Sequence, residues 1–142
     1  MHENIPRIVI TGMGAITPLG TVSALWSNLK LGISGIRKIQ SIDTDHLDVK
    51  IAGEVEIELT DYVPYKVARR MARASLLAMI AARMAKEDAG LDDSYLEQIT
   101  RRVGVVLGTA QGGYETAGEA LLQFRNKATR PSPFALISAL PN

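Results

Sequence analysis

The stretch "RIVITGMGAITPLG", residues 7–20, decides how the rest of the chain is read. It joins a run rich in Ile and Val to two glycines one residue apart, and it precedes an amphipathic segment. A run with this little alternation suits a strand buried on both faces of a sheet. Gly12 and Gly14 also open the pattern G-x-G-x-x-G, whose glycines let a backbone approach a pyrophosphate and a helix pack on its strand. The third place, however, is Thr17, and the next glycine is Gly20. No acidic residue stands at a second strand end ~20 residues on, where a ribose needs one. The stretch therefore reads as a tight strand-to-helix turn rather than a nucleotide loop.

Outward from this point, strand and helix patterns alternate. Residues 21–31, "TVSALWSNLKL", carry Val22, Leu25, Trp26 and Leu29 at helical spacing, and Gly32 is placed to end that helix. Residues 33–65 are irregular, with "IAGEVEIEL" forming a short alternating strand in a surface excursion. Residues 66–89 are expected to form one helix. Val67, Met71, Ala74, Ala78, Ala81 and Ala85 make its stripe, broadened by Leu77, Ile80 and Met84, and Gly90 is its stop. So much alanine on the buried side implies close packing against a neighbouring layer. "DDSYLEQI" reads as a further short helix, "VGVVL" at 103–107 as a second apolar strand, and residues 114–126 as helix after the loop "GTAQGG". Strands alternating with helices indicate an α/β fold with a parallel or mixed sheet.

Composition narrows the chemistry. The 142 residues are 46% hydrophobic and 22% charged with a net charge of +1, the balance of a globular domain with no overall field for nucleic acid or membrane. Cysteine is absent, so these residues hold no disulfide, thiolate metal site or thiol nucleophile. No apolar run approaches the ~18 residues of a membrane span, and the N-terminus lacks a signal-peptide core, which leads to the expectation of a cytoplasmic protein. His2 and His46 stand in a terminus and a loop with no evident partner and are assigned no role. "GTAQGG" lacks the lysine of a phosphate-binding loop; it is a turn, or a pocket wall where a substrate approaches backbone. Lys66, Arg69, Arg70 and Arg73 form a cation cluster with no acid among them. A charge run is commonly a solvated face, but in the first turns of the expected helix the macrodipole disfavours each cation by ~0.3 to 1 kcal/mol, which sets an anionic partner beside that reading.

Jointly, "RIVITGMGAITPLG", "LKLGISGI", "RRMARASLLAMIAARMAKEDAGL", "RRVGVVLGTAQGGYET" and "SPFALISALPN" resemble, in order and spacing, the N-terminal part of a β-ketoacyl-acyl-carrier-protein synthase. The resemblance runs nearly end to end. It implies a thiolase-like αβαβα sandwich in a homodimer, with residues 1–142 as an incomplete N-terminal half and no second domain. It also implies that the first glycine-rich turn closes a core strand and binds no nucleotide. The family's reaction is a decarboxylative Claisen condensation, in which a cysteine thiolate takes the acyl chain and two histidines assist decarboxylation and steady the enolate. Those residues are expected beyond Asn142, so residues 1–142 alone are expected to be inactive, with no cofactor and no metal.

The resemblance implies roles for four cations: Lys66, Arg69, Arg70 and Arg130 match positions at which family members dock the acidic acyl carrier protein. Gln111 falls at the floor of the acyl pocket near the dimer interface, where an apolar residue is usual. An amide against a fatty tail is costly unless hydrogen-bonded, so a short or polar acyl chain is expected. Ala72 stands where the family's pattern has aspartate, which removes an expected local ion pair. Two alternatives to an enzyme segment follow: a non-catalytic protein that docks carrier protein or pairs with an intact subunit, as chain-length factors do, and a small nucleotide-binding domain. An incomplete sandwich leaves apolar surface uncovered, so the chain alone is expected to associate.

Overall fold

A computed structural model describes residues 7–126, 134, 135 and 139. Chain order runs from helix α1 (Val22–Lys30) through a hairpin of β1 (Arg37–Lys38) and β2 (Ile51–Ala52) to α2 (Tyr65–Ala68), α3 (Arg73–Asp88), α4 (Asp93–Gln98) and α5 (Tyr114–Asn126). Among the described residues the sheet has two antiparallel strands, with Arg37 opposite Ala52 and Lys38 opposite Ile51.

The helices stand close to where their patterns put them. Thr21 is the N-cap of α1, and Gly32 follows its end with φ +69°. Asp92 caps α4 by accepting the Tyr95 N–H at 2.6 Å. Gly90, with φ +65°, follows α3. The expected 66–89 helix, by contrast, is two helices: α2 ends at Ala68, and the chain passes through residues 69–72 before α3 begins at Arg73. Ala72 is the N-cap of α3 in extended conformation and contributes no side-chain acceptor. The missing aspartate thus lies at a helix cap, where an acidic side chain satisfies free N–H groups and complements the dipole.

The inner face of α3 carries the core. Leu76 and Ile80 are 3% and 2% exposed and meet Val63, with Ile16, Leu59, Ala68, Met71 and Met84 packed around them. Each fully buried aliphatic side chain contributes about 1.5–3 kcal/mol. Leu76 was absent from the expected stripe, because the break at 69–72 resets the helical phase. Ala74, counted inside, is exposed.

Alanines on α3 receive the N-terminal segment. A Cβ on Gly12 would strike the Ala85 carbonyl and come within 2.5 Å of the Ala89 nitrogen. One on Gly14 would strike the Ala81 carbonyl and stand 2.7 Å from the Ala85 nitrogen. The two glycines are what allow this backbone to lie on the helix. The close packing expected from the alanine content is therefore present, and glycine is its counterpart.

The strands differ from expectation. Residues 7–13 join no sheet, and the reading of a strand buried on both faces is corrected: Ile8 is 94% exposed, and Val9 and Ile10 are exposed beside it. Residues 103–107 likewise form no ladder, with Val106 100% exposed. A strand is buried only by partners on both sides, and among the described residues these two runs have none. The "IAGEVEIEL" segment pairs only at Ile51 and Ala52. Beyond them Glu54 turns its carboxylate to the N–H groups of Gln40 at 2.8 Å and Ser41 at 3.1 Å. Among the described residues, no helix is long and apolar enough to cross a membrane.

Candidate functional site

The turn after Gly14 is closed on itself. Thr17 and Gly20 exchange backbone hydrogen bonds of 3.1 and 2.9 Å, and the Thr17 hydroxyl accepts the Leu19 N–H. Just before it, the Met13 N–H donates to an Asp88 carboxylate oxygen at 2.9 Å. A phosphate cradle needs N–H groups aimed outward at an anion. Here four of them are engaged, and a carboxylate already stands at one. Arg37 fastens the hairpin to this turn by donating to the Pro18 carbonyl at 3.0 Å while pairing with Glu56.

The cation cluster sits elsewhere, where α2 gives way to α3. Lys66 lies in the single turn of α2, Arg69 is the C-cap of that helix, and Arg70 follows it. The dipole reasoning from the sequence is therefore corrected for these three. None of the three lies within the first turn of the long helix α3, and the single turn of α2 has little dipole of its own, so their clustering carries no penalty inside a long helix. Arg73 alone opens a long helix, and its guanidinium donates to the Val55 carbonyl at 2.7 Å. Lys66 and Arg69 are exposed, and neither pairs with a carboxylate among the described residues.

Arg69 and Arg70 form one wall of a cleft of about 330 Å³. Ala68 and Met71 extend that wall; Thr116, Glu119, Ala120 and Gln123 of α5 face it, and Phe134 and Ala135 complete the lining. The Arg70 guanidinium stands 5.8 Å from the Phe134 ring centroid, within cation–π range. Lys66 stands outside the cleft lining, and Arg130 lies outside the described residues. Sequence reasoning missed the α5 wall. Its signal was the spacing of Thr116, Glu119, Ala120 and Gln123, which places all four on one helix face.

Gln111 is exposed, and its carbonyl accepts the Tyr114 N–H at 3.2 Å as α5 begins. Beside it lies a small cavity of about 110 Å³ between α3 and the glycine loop, lined by Ala74, Ser75, Ala78, Leu107, Gly108, Thr109 and Gly112, without Gln111. A larger apolar groove of about 660 Å³ runs along α1, between Met13, Val22, Leu25, Trp26 and Leu29, with Asp88 at its edge. Among the described residues no cluster of acidic or imidazole side chains could hold a metal.

Three carboxylates titrate below their usual range, each through hydrogen bonds that stabilise the charged form. Glu58 is held by the Thr60 hydroxyl and N–H, Asp92 by the Tyr95 N–H and the Ser94 hydroxyl, and Glu54 by Ser41 and Gln40. Thr60, Ser94 and Tyr95 contribute to local turns and caps, so these shifts mark loop geometry rather than acid–base chemistry.

Residues 6–142 match the family model described as the N-terminal domain of beta-ketoacyl synthase. The chain is 42% identical over 145 residues to 3-oxoacyl-[acyl-carrier-protein] synthase 2 of Staphylococcus aureus strain MRSA252, covering all of this chain and 34% of that protein. It is 32% identical over 139 residues to the chloroplastic 3-oxoacyl-[acyl-carrier-protein] synthase II of Arabidopsis thaliana, covering 96% of this chain and 26% of that one. The chain thus spans about a third or less of the length of these relatives. Among solved structures, the ishigamide ketosynthase/chain length factor superposes with a TM-score of 0.74 at 30% identity, over 93% of this chain and 33% of that one. The likeness bears out the thiolase-like class inferred from sequence, of which the chain represents an N-terminal portion.

Proposed function

Because the chain belongs to the beta-ketoacyl synthase N-terminal domain family, we propose that it serves as the N-terminal segment of a 3-oxoacyl-acyl-carrier-protein synthase, an acyltransferase of fatty acid or polyketide synthesis. Its role in that reaction is to bind the carrier rather than to break or form bonds. No cysteine is present to take an acyl chain, so in this reading residues 1–142 alone do not turn over. The protein works in the cytoplasm, as a homodimer or beside an intact synthase subunit.

One observation carries the reading: the cations Lys66, Arg69 and Arg70 gather in one turn without an intervening acid, and Lys66 and Arg69 are exposed and outside any ion pair among the described residues. An acidic acyl carrier protein complements such a turn, with Arg130 as a further contact. Charge complementarity of this kind governs encounter and selectivity and weakens as salt screens it. Gln111, beside the glycine loop, is proposed to meet the acyl chain and to favour a short or polar one.

Reversing charge with Arg69→Glu and Arg70→Glu together is expected to weaken acyl carrier protein binding by about tenfold or more at low salt and to flatten its salt dependence. Titration of the unmodified and reversed chains at two salt concentrations checks this. Equal binding by both removes the docking assignment.

A second reading draws on the matched ketosynthase/chain length factor: a non-catalytic partner that pairs with a complete synthase. Co-purification with an intact synthase subunit, together with an undiminished condensation rate in that subunit, favours it.

A further inference from the structure

The carrier-docking reading treats the cation turn as a surface of one sign, but the cleft beside it is not. Glu119 stands on the α5 wall of the cleft that Arg69 and Arg70 also line, and among the described residues it is the only acidic one lining it. It is exposed and forms no ion pair among the described residues, so it does not neutralise either arginine by contact. A charge on one wall of a cleft of about 330 Å³ acts on an ion held between the walls, since screening over ~10 Å at 0.1 M salt leaves close charges coupled. The remaining α5 positions, Thr116, Ala120 and Gln123, are neutral.

This asymmetry has a consequence for what enters. An anion that keeps to the exposed side of the turn, toward Lys66, which stands outside the cleft lining, has the arginine wall and solvent between it and Glu119, and screening weakens the repulsion it feels. An anion that pushes between the walls meets the carboxylate of Glu119. Resting on the carrier-docking reading, we propose that Glu119 is a specificity-determining residue of this site. It leaves binding of a folded acidic protein, whose carboxylates are fixed on one face, nearly unchanged, and it disfavours flexible polyanions that would fill the cleft. Repulsive elements of this kind set selectivity as much as attractive ones do.

The test compares two probes, acyl carrier protein and heparin, on the full 142-residue chain and on Glu119→Gln, which keeps shape and removes charge. Heparin affinity is expected to rise by about two- to fivefold at low salt while carrier affinity changes by less than about twofold, so that the preference for carrier falls. The gain should shrink at high salt, and Glu119→Asp should restore the original preference, which a merely structural role for the side chain would not do. Unchanged heparin affinity in Glu119→Gln, or an equal rise for both probes, overturns the proposal. Arg69→Glu separates the two failures. If it weakens carrier binding while Glu119→Gln moves nothing, the docking site stands without its selectivity element; if neither variant moves carrier or heparin, the docking reading itself falls.

Discussion

Residues 7–20 and residues 103–113 share one design: an apolar run, closely spaced glycines and a helix after them. Their surroundings differ. Gly12 and Gly14 lie so close to the backbone of α3 that neither leaves room for a methyl group, whereas a Cβ on Gly104 or Gly108 would meet nothing within 4 Å. The first segment is also tied by Asp88 and by the closed Thr17–Gly20 turn. The second meets α3 along the small cavity that Leu107, Gly108, Thr109 and Gly112 share with Ala74, Ser75 and Ala78. The same pattern of residues therefore has two meanings. In one place glycine is a packing residue, demanded by a helix of alanines; in the other Gly104 and Gly108 are loop residues with open space beside them, and Gly113, at φ +81° where α5 begins, is again hemmed in by backbone, that of Ala139. Both apolar runs face outward, which is the surface a larger sheet requires and which, uncovered, favours association.

The largest effect expected from this contrast separates the α3 face from the second apolar run. Ile80→Ala removes a side chain that is 2% exposed and opens a cavity among Val63, Leu76 and their neighbours, at a cost of about 2–5 kcal/mol. Val106→Ala removes one that is 100% exposed and should change stability by less than about 0.5 kcal/mol. Urea denaturation of the two variants beside the parent reads the difference. Comparable losses at both sites would mean that the second run is buried in solution, and the comparison would collapse.

A smaller effect tests the glycines themselves. Gly14→Ala forces a methyl group against the Ala81 carbonyl and the Ala85 nitrogen. Backbone on both sides leaves little to yield, so destabilisation of about 1–3 kcal/mol is expected. Gly104→Ala, in open space, should be neutral or slightly stabilising, because alanine restricts the unfolded chain. If both variants melt alike, the approach of the N-terminal segment to α3 is looser than the geometry states.

What was legible in the sequence divides along the same line. Helices were read well where their signals are local: the glycines after α1 and α3, the short helix within "DDSYLEQI", and α5 at its full extent all follow from residues within a turn of the feature. The break between α2 and α3 was not legible, because residues 66–89 keep an apolar period across it and contain no proline or glycine until Gly90. The two apolar runs were legible as strand material but not as exposed, since burial depends on distant partners that a local pattern does not contain. The cations of the candidate site were visible as a charge run. Their opposing wall, Thr116, Glu119 and Gln123, was not, because it lies some fifty residues on and is joined to them only by the fold.

The smallest effect concerns α4, the helix that leads into the second run. Its start is fastened by the Asp92 carboxylate, which accepts from the Tyr95 N–H and the Ser94 hydroxyl, and those bonds hold it below the ordinary aspartate value of 3.8. A carboxylate depressed in the folded state lends stability that is fully present above its unfolded value and fades as pH falls through the lower folded one. The parent should therefore lose the part owed to Asp92 below about pH 3.8, after the parts owed to Glu54 and Glu58 begin to fade below their ordinary value of 4.5. Asp92→Asn retains a good N-cap but cannot titrate. Its melting temperature should fall less steeply with acidification than the parent's, while the two agree closely near neutral pH. A parallel decline would show that the cap does not persist in solution. The second run would then lack an anchored entry, in contrast to the first, which is held on both sides of its turn.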